Sequence, residues 1–310
     1  MGGHCVLAEG SARHAIAKRV RALRAEVKPA TAEDPDGIHD LRVASRRLRV
    51  AVAEHANLFA KPSRKSLQRR LRRVTRLLGK ARELDVTLGL LGKWRGELHG
   101  APRYAAAYVT GRLRAERKAQ SEVIADAVEG FKGETFNERL VGLFEGMTGS
   151  KKCYVKKAAR RLKARYRDAT EQYGVWVKSG SAPDLHGLRI AFKKLRYACE
   201  VYEPLYGPEM GALIERLKEA QTVLGDWNDC RVLLDYVGKS VEQAPPRAAA
   251  GIPGLEETLG KHLQRLLEAF EAAAAQLFSP AARAETMKAF GNQREPCCQK
   301  GARLPGQAAP

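Results

Sequence analysis

The sequence predicts an all-α protein, and three observations carry that prediction. Aromatic residues are 6% of the 310, while Ala, Leu, Arg, Lys and Glu are plentiful. Alternating Val, Ile and Thr runs bounded by turn residues, the mark of strands, are hard to find. The third observation is an internal repeat whose apolar residues recur at helical spacing in both copies.

Each copy opens with an amphipathic helix. Ile16, Val20, Leu23 and Val27 follow the i, i+4, i+7, i+11 rule, and Leu162, Tyr166, Ala169 and Tyr173 repeat it 146 residues later. Next comes a histidine-bearing helix: GIHDLRVASRRLRVAVAEHANLF from Gly37 aligns with DLHGLRIAFKKLRYACEVYEPLY from Asp184 at an offset of 147. A third helix carries Leu67, Leu71, Val74 and Leu78, matched by Leu213, Leu217, Ala220 and Leu224. Gly79 and Gly225, each followed by an acidic stretch, are read as turns that end it. Further helices are expected around 84–97 and 102–128, then around 229–240 and 254–278. About four helices per unit read as two helical bundles. The division is a first unit at 1–148, a second at 149–290, and a disordered tail at 291–310.

The histidine helix has two faces. At about 100° per residue, His39, Arg42, Arg46 and Arg49 share roughly an 80° arc, with Leu41, Leu48 and Val52 behind them. His186, Arg189, Lys193 and Arg196 repeat the arc, with Lys194 beside it, and Leu188, Leu195 and Cys199 repeat the apolar side. A ladder of cations with a rung about every 5 Å suits a linear chain of phosphates better than a compact ligand. Arg offers forked donors and Lys a mobile point charge.

Charge adds to this. The formal net charge of +20 points to a polyanionic partner. From His39 to Arg82 there are fourteen Lys/Arg against two acids, whereas His186 to Asn228 has six of each. Lys65, Arg69, Arg72 and Arg76 make one row on the third helix, and in the second copy Lys218 keeps the place of Arg72 while Arg69 and Arg73 become Glu215 and Glu219. Lys151 to Arg167 holds nine basic residues, Lys156, Arg160 and Lys163 among them.

Other classes are disfavoured. Six scattered cysteines without a CxxC pair suggest reduced thiols in the cytosol, and neither a signal peptide nor a membrane span is expected. No HxxxH or HExxH pattern accompanies the histidines, so neither a metal nor another cofactor is expected. The histidines are expected to donate hydrogen bonds to phosphate or to cap a helix, without catalysis. Nucleic acid is the alternative partner, since the same field attracts it. Against it, Phe59, assigned to the core, is the lone aromatic between Arg42 and Arg82, where stacking platforms would be needed.

The doubled motif HxLRVxxRRLR, running from His39 to Arg49 and in variant form from His186 to Arg196, resembles the CHAD family of histidine-bearing α-helical domains. LGxxRxxDV from Leu78 to Val86 fits too, with Glu83 where the family carries Asp, as does LGDWNDCRV from Leu224 to Val232. Similarity runs from about Ser11 to Phe290. The resemblance implies two four-helix bundles related by approximate two-fold symmetry, with a basic channel between them that binds inorganic polyphosphate. It also implies association with polyphosphate granules. The eight ladder positions are the implied channel lining, joined by Arg72 and Lys218. The ExExK strand motif of a triphosphate-handling domain, fused in some members, is absent from the sequence.

Overall fold

The computed structural model describes residues 7–27, 34–94, 96–147 and 154–291, and among them twelve α-helices and no strand. One isolated bridge pairs Phe59 with Met147. The repeat appears as two runs of three helices in the same order. In the first, α1 is Leu7–Val27, α2 Pro35–Glu54 and α3 Lys61–Trp94; in the second, α7 is Tyr154–Ser179, α8 Ala182–Tyr202 and α9 Pro208–Ser240. Between them lie α4 (Gly100–Lys118), α5 (Ser121–Lys132) and α6 (Glu134–Glu145). After them come α10 (Pro246–Ala249), α11 (Ile252–Leu277) and α12 (Pro280–Ala289). The boundary expected at 148/149 and all but the first residue of the tail expected at 291–310 lie outside the described residues.

The glycine turns do not exist. Gly79 and Gly225 sit inside α3 and α9, which run on for 34 and 33 residues. A single helical glycine forfeits about 1 kcal/mol against alanine, which the flanking buried leucines readily offset. The helices expected at 84–97 and 229–240 are therefore the far halves of α3 and α9. The stretch 102–128 is two helices, broken at Ala119 and Gln120.

Each apolar stripe is buried. Leu41, Leu48, Val52, Leu188, Leu195 and Cys199 are fully enclosed, as are Leu67, Leu71, Leu213 and Leu217. Burying each leucine is worth about 1.5–3 kcal/mol relative to exposure. These residues form a principal core continuous from α1 to the residues flanking α12, so both units contribute to one interior. A second core joins the far ends of α3 and α9 to α4 and α11. Here α4, from the first half of the chain, packs on α10 and α11 of the second.

Polar links reinforce the seam. Glu54, at the end of α2 and 2% exposed, lies 3.1 Å from Arg165 and 3.9 Å from Arg161 on α7. Tyr202 of α8 donates to its carboxylate at 3.3 Å. A buried carboxylate is stable only with partners of this kind. Between α2 and α3, Ser45 and Thr75 share a buried 3.0 Å hydrogen bond, which fixes an antiparallel register.

Candidate functional site

Register and capping set the two histidine helices. Asp34 caps α2, accepting from the Asp36 amide at 3.0 Å, with Pro35 at the first helical position. Ser181 caps α8, accepting from the Asp184 amide at 3.2 Å. The capping role expected for the histidines thus belongs to other residues, because both histidines lie about one turn inside their helices. His39 is half-buried and His186 exposed, and both face the same space.

That space is a cleft of about 600 Å³ walled by four helices. From α2 come His39, Arg42, Arg46 and Arg47; from α8, His186, Arg189, Lys193, Arg196 and Tyr197. The walls are completed by the stretch Gly79 to Thr87 of α3 and by Asn228, Asp229, Arg231 and Val232 of α9. A Cβ at Gly79 would meet the Arg42 guanidinium Nε at 4.0 Å, an ordinary van der Waals contact, so this stretch of α3 lies against the cation. The fold brings the two ladders, 147 residues apart in sequence, to one site.

Charge in the cleft is crowded and poorly compensated. Eight Lys/Arg side chains line it against two carboxylates, Glu83 and Asp229. Burial, then Arg46, lowers the Arg42 pKa to about 10, with Arg189 and Arg82 adding to the effect. Arg189 is lowered by burial, partly countered by Asp229. Lys193 falls to about 7, through burial first and then Arg189, Arg46 and Arg42. His39 is lowered by burial and by Arg82, which favours its neutral form at pH 7. At the equivalent positions Arg42 and Arg189, Nε is buried with no hydrogen-bond partner among the described residues. Buried donors are almost always satisfied, so paired orphans call for an anion or water.

Not every cation is free. Arg196 donates to Gln221 at 2.8 Å and to Glu200 at 2.6 Å, and its guanidinium stacks 4.6 Å from the Tyr197 ring centroid. Arg47 reaches the same Glu200 at 3.5 Å, and Arg231 pairs with Asp235 at 3.0 Å.

Of the sequence-predicted residues, His39, Arg42, Arg46, His186, Arg189, Lys193 and Arg196 come together in the cleft. Arg49 is half-buried just beyond it, with burial and then Arg46 and Arg72 lowering its pKa. Arg69, Arg72 and Arg76 line a separate shallow depression on α3. Lys156, Arg160 and Lys163 are exposed on α7, and Lys194 is exposed on α8, none of them lining the cleft. Lys218 is tied to Glu215 at 2.6 Å, also outside. Arg47, Arg82 and Arg231 were not singled out from the sequence. Arg82 and Arg231 stand in the LGxxRxxDV and LGDWNDCRV segments, and their chain neighbours gave the one available signal.

The family model of the CHAD domain matches residues 14–238, most of the chain. The protein belongs to the CHAD domain family. Solved structures agree on the fold. The crystal structure of the CHAD domain from the plant Ricinus communis superposes with a TM-score of 0.61 at 20% identity, over 92% of this chain and 93% of that one. PptA from Streptomyces chartreusis gives 0.61 at 17% identity, over 88% of this chain and 99% of that one. No curated protein matches the sequence. In this CHAD protein, no helix among the described residues is long and apolar enough to cross a membrane.

Proposed function

We propose that this CHAD protein binds long-chain inorganic polyphosphate in the cleft between α2 and α8, as a non-catalytic module that localises to polyphosphate granules in the cytoplasm. In this reading the two helical units act as pseudo-two-fold halves of one basic channel. The observation that carries it is the paired, buried, unpartnered Nε of Arg42 and Arg189, at equivalent positions of the two units. An oxyanion chain supplies acceptors to both at once. Lys193, whose charge burial disfavours, gains from the same partner.

Nucleic acid fits less well. Tyr197, the one Phe, Tyr or Trp among the residues lining the cleft, is 4% exposed and covered by Arg196, so its ring offers a base no open face to stack on.

Calorimetric titration with long-chain polyphosphate, against RNA of equal charge at about 0.15 M salt, tests the reading. Saturable binding of polyphosphate with little heat from RNA is expected; equal or tighter RNA binding overturns it. The double variant Arg46→Glu with Lys193→Glu should abolish polyphosphate binding while circular dichroism stays helical. Retained affinity in that folded variant refutes the cleft as the site.

A further inference from the structure

The cation row of α2 does not end with the cleft. Arg49 lies outside the cleft lining, and burial first, then Arg46 behind it and Arg72 on α3, depresses its pKa. Arg49 thus has a guanidinium neighbour on each side, in keeping with the contact that brings Ser45 of α2 against Thr75 of α3. Arg72 opens in turn on a depression of about 370 Å³ lined by Arg69, Arg72, Arg73 and Arg76. These four side chains are exposed and have no carboxylate partner among the described residues. Four like charges in one dent repel one another, so a bound polyanion is favoured there.

The other unit lacks this surface. At an offset of 146 the same helical face of α9 carries Glu215, Lys218, Glu219 and Thr222, and Glu215 neutralises Lys218. A chain leaving the cleft past Arg49 thus meets a run of cations for which the matching face of α9, formally negative over these four positions, has no counterpart.

We infer that the Arg69–Arg76 face of α3 is a second subsite for the same polyphosphate chain, reached over Arg49. A chain too long for the cleft leaves it in one preferred direction, and affinity steps up once the chain spans both subsites. This rests on the cleft being a polyphosphate site. Two linked subsites add their contacts without a second encounter, so the gain depends on chain length, not on total phosphate.

The test compares tripolyphosphate with long-chain polyphosphate, on the wild-type protein and on the variant Arg69→Gln, Arg72→Gln, Arg73→Gln, Arg76→Gln. The expected result is a tenfold or greater loss for the long chain, no change for tripolyphosphate, and a salt-dependence slope for the long chain smaller by about 3. Unchanged long-chain affinity, or an equal loss for both ligands, overturns the second subsite and leaves the cleft standing. Failure of the wild-type protein to bind either ligand instead refutes the cleft reading on which the subsite rests. Circular dichroism and thermal unfolding of the variant confirm that a loss of binding is not a loss of fold.

Discussion

The α2–α3 half and the α8–α9 half face each other across one cleft, yet they bring unlike charge to it. On the α2 side Arg42 and Arg46 have no carboxylate partner among the described residues. On the α8 side Arg196 is held by Glu200 and Gln221, while Asp229 stands beside Arg189 and Lys193. The repeat has kept what the fold needs, the buried leucines, and what the cleft needs, a cation at each of the central positions. Elsewhere the copies have diverged, since a surface that is not shared across the seam is free to change sign.

The comparison breaks first at its best-matched pair. Arg42→Met and Arg189→Met should each weaken polyphosphate binding by about 10- to 100-fold, the value of one charge-assisted hydrogen bond of 1.5–3 kcal/mol. The two losses should agree within a few-fold, because the side chains share burial, orphaned Nε and cleft position. Calorimetry on both variants checks this. A loss confined to one wall would mean that the cleft binds asymmetrically at its centre as well as at its exits.

The fold was largely legible because burial imposes a period. Leu67, Leu71, Val74 and Leu78 could be matched to their counterparts by spacing alone, and all eight are buried. Gly79 misled because a glycine in sequence announces only the freedom to turn. Whether the helix continues is decided by the buried leucines on both sides, Leu78 and Leu84. In the site, the ladders were legible as one face of a helix. Their tertiary partners were not: Glu200, the i,i+4 neighbour of Arg196, reaching Arg47 as well, or Glu54 gathering Arg161 and, across 111 residues of chain, Arg165. The same reason hides Arg82, whose place in the cleft depends on α3 running straight past Gly79.

The acids of the two halves offer a finer contrast. Both line the cleft, but Asp229 supports the charges of Arg189 and Lys193, whereas Glu83 is exposed and engaged by Lys80 at 3.3 Å. Asp229→Asn should therefore tighten polyphosphate binding by about fivefold, roughly 1 kcal/mol for one screened like charge removed from the path of the anion. Glu83→Gln should change it less than twofold. Equal effects in a titration series would show that the formal charge of the cleft, not its local arrangement, governs affinity.

The smallest expected effect concerns Lys193, which has Arg189 on its own helix, Arg46 and Arg42 across the cleft on α2, and Asp229 on α9. With its pKa at about 7 in the free protein, it is mostly charged at pH 6 and mostly neutral at pH 8. Deprotonation removes a cation from the anion's path, so affinity should fall as pH rises across that window. A bound phosphate chain favours the ammonium form and pulls a proton back on, which recovers part of the loss. The net change from pH 6 to pH 8 should thus be about threefold, less than the removal of a full charge. Proton uptake should appear near pH 7 as a binding enthalpy that varies with the ionisation heat of the buffer. In Lys193→Arg both the pH slope and the uptake should diminish, since guanidinium holds its proton at pH values where the lysine does not. A slope that persists in that variant would assign the titration to His39 on the opposite wall instead.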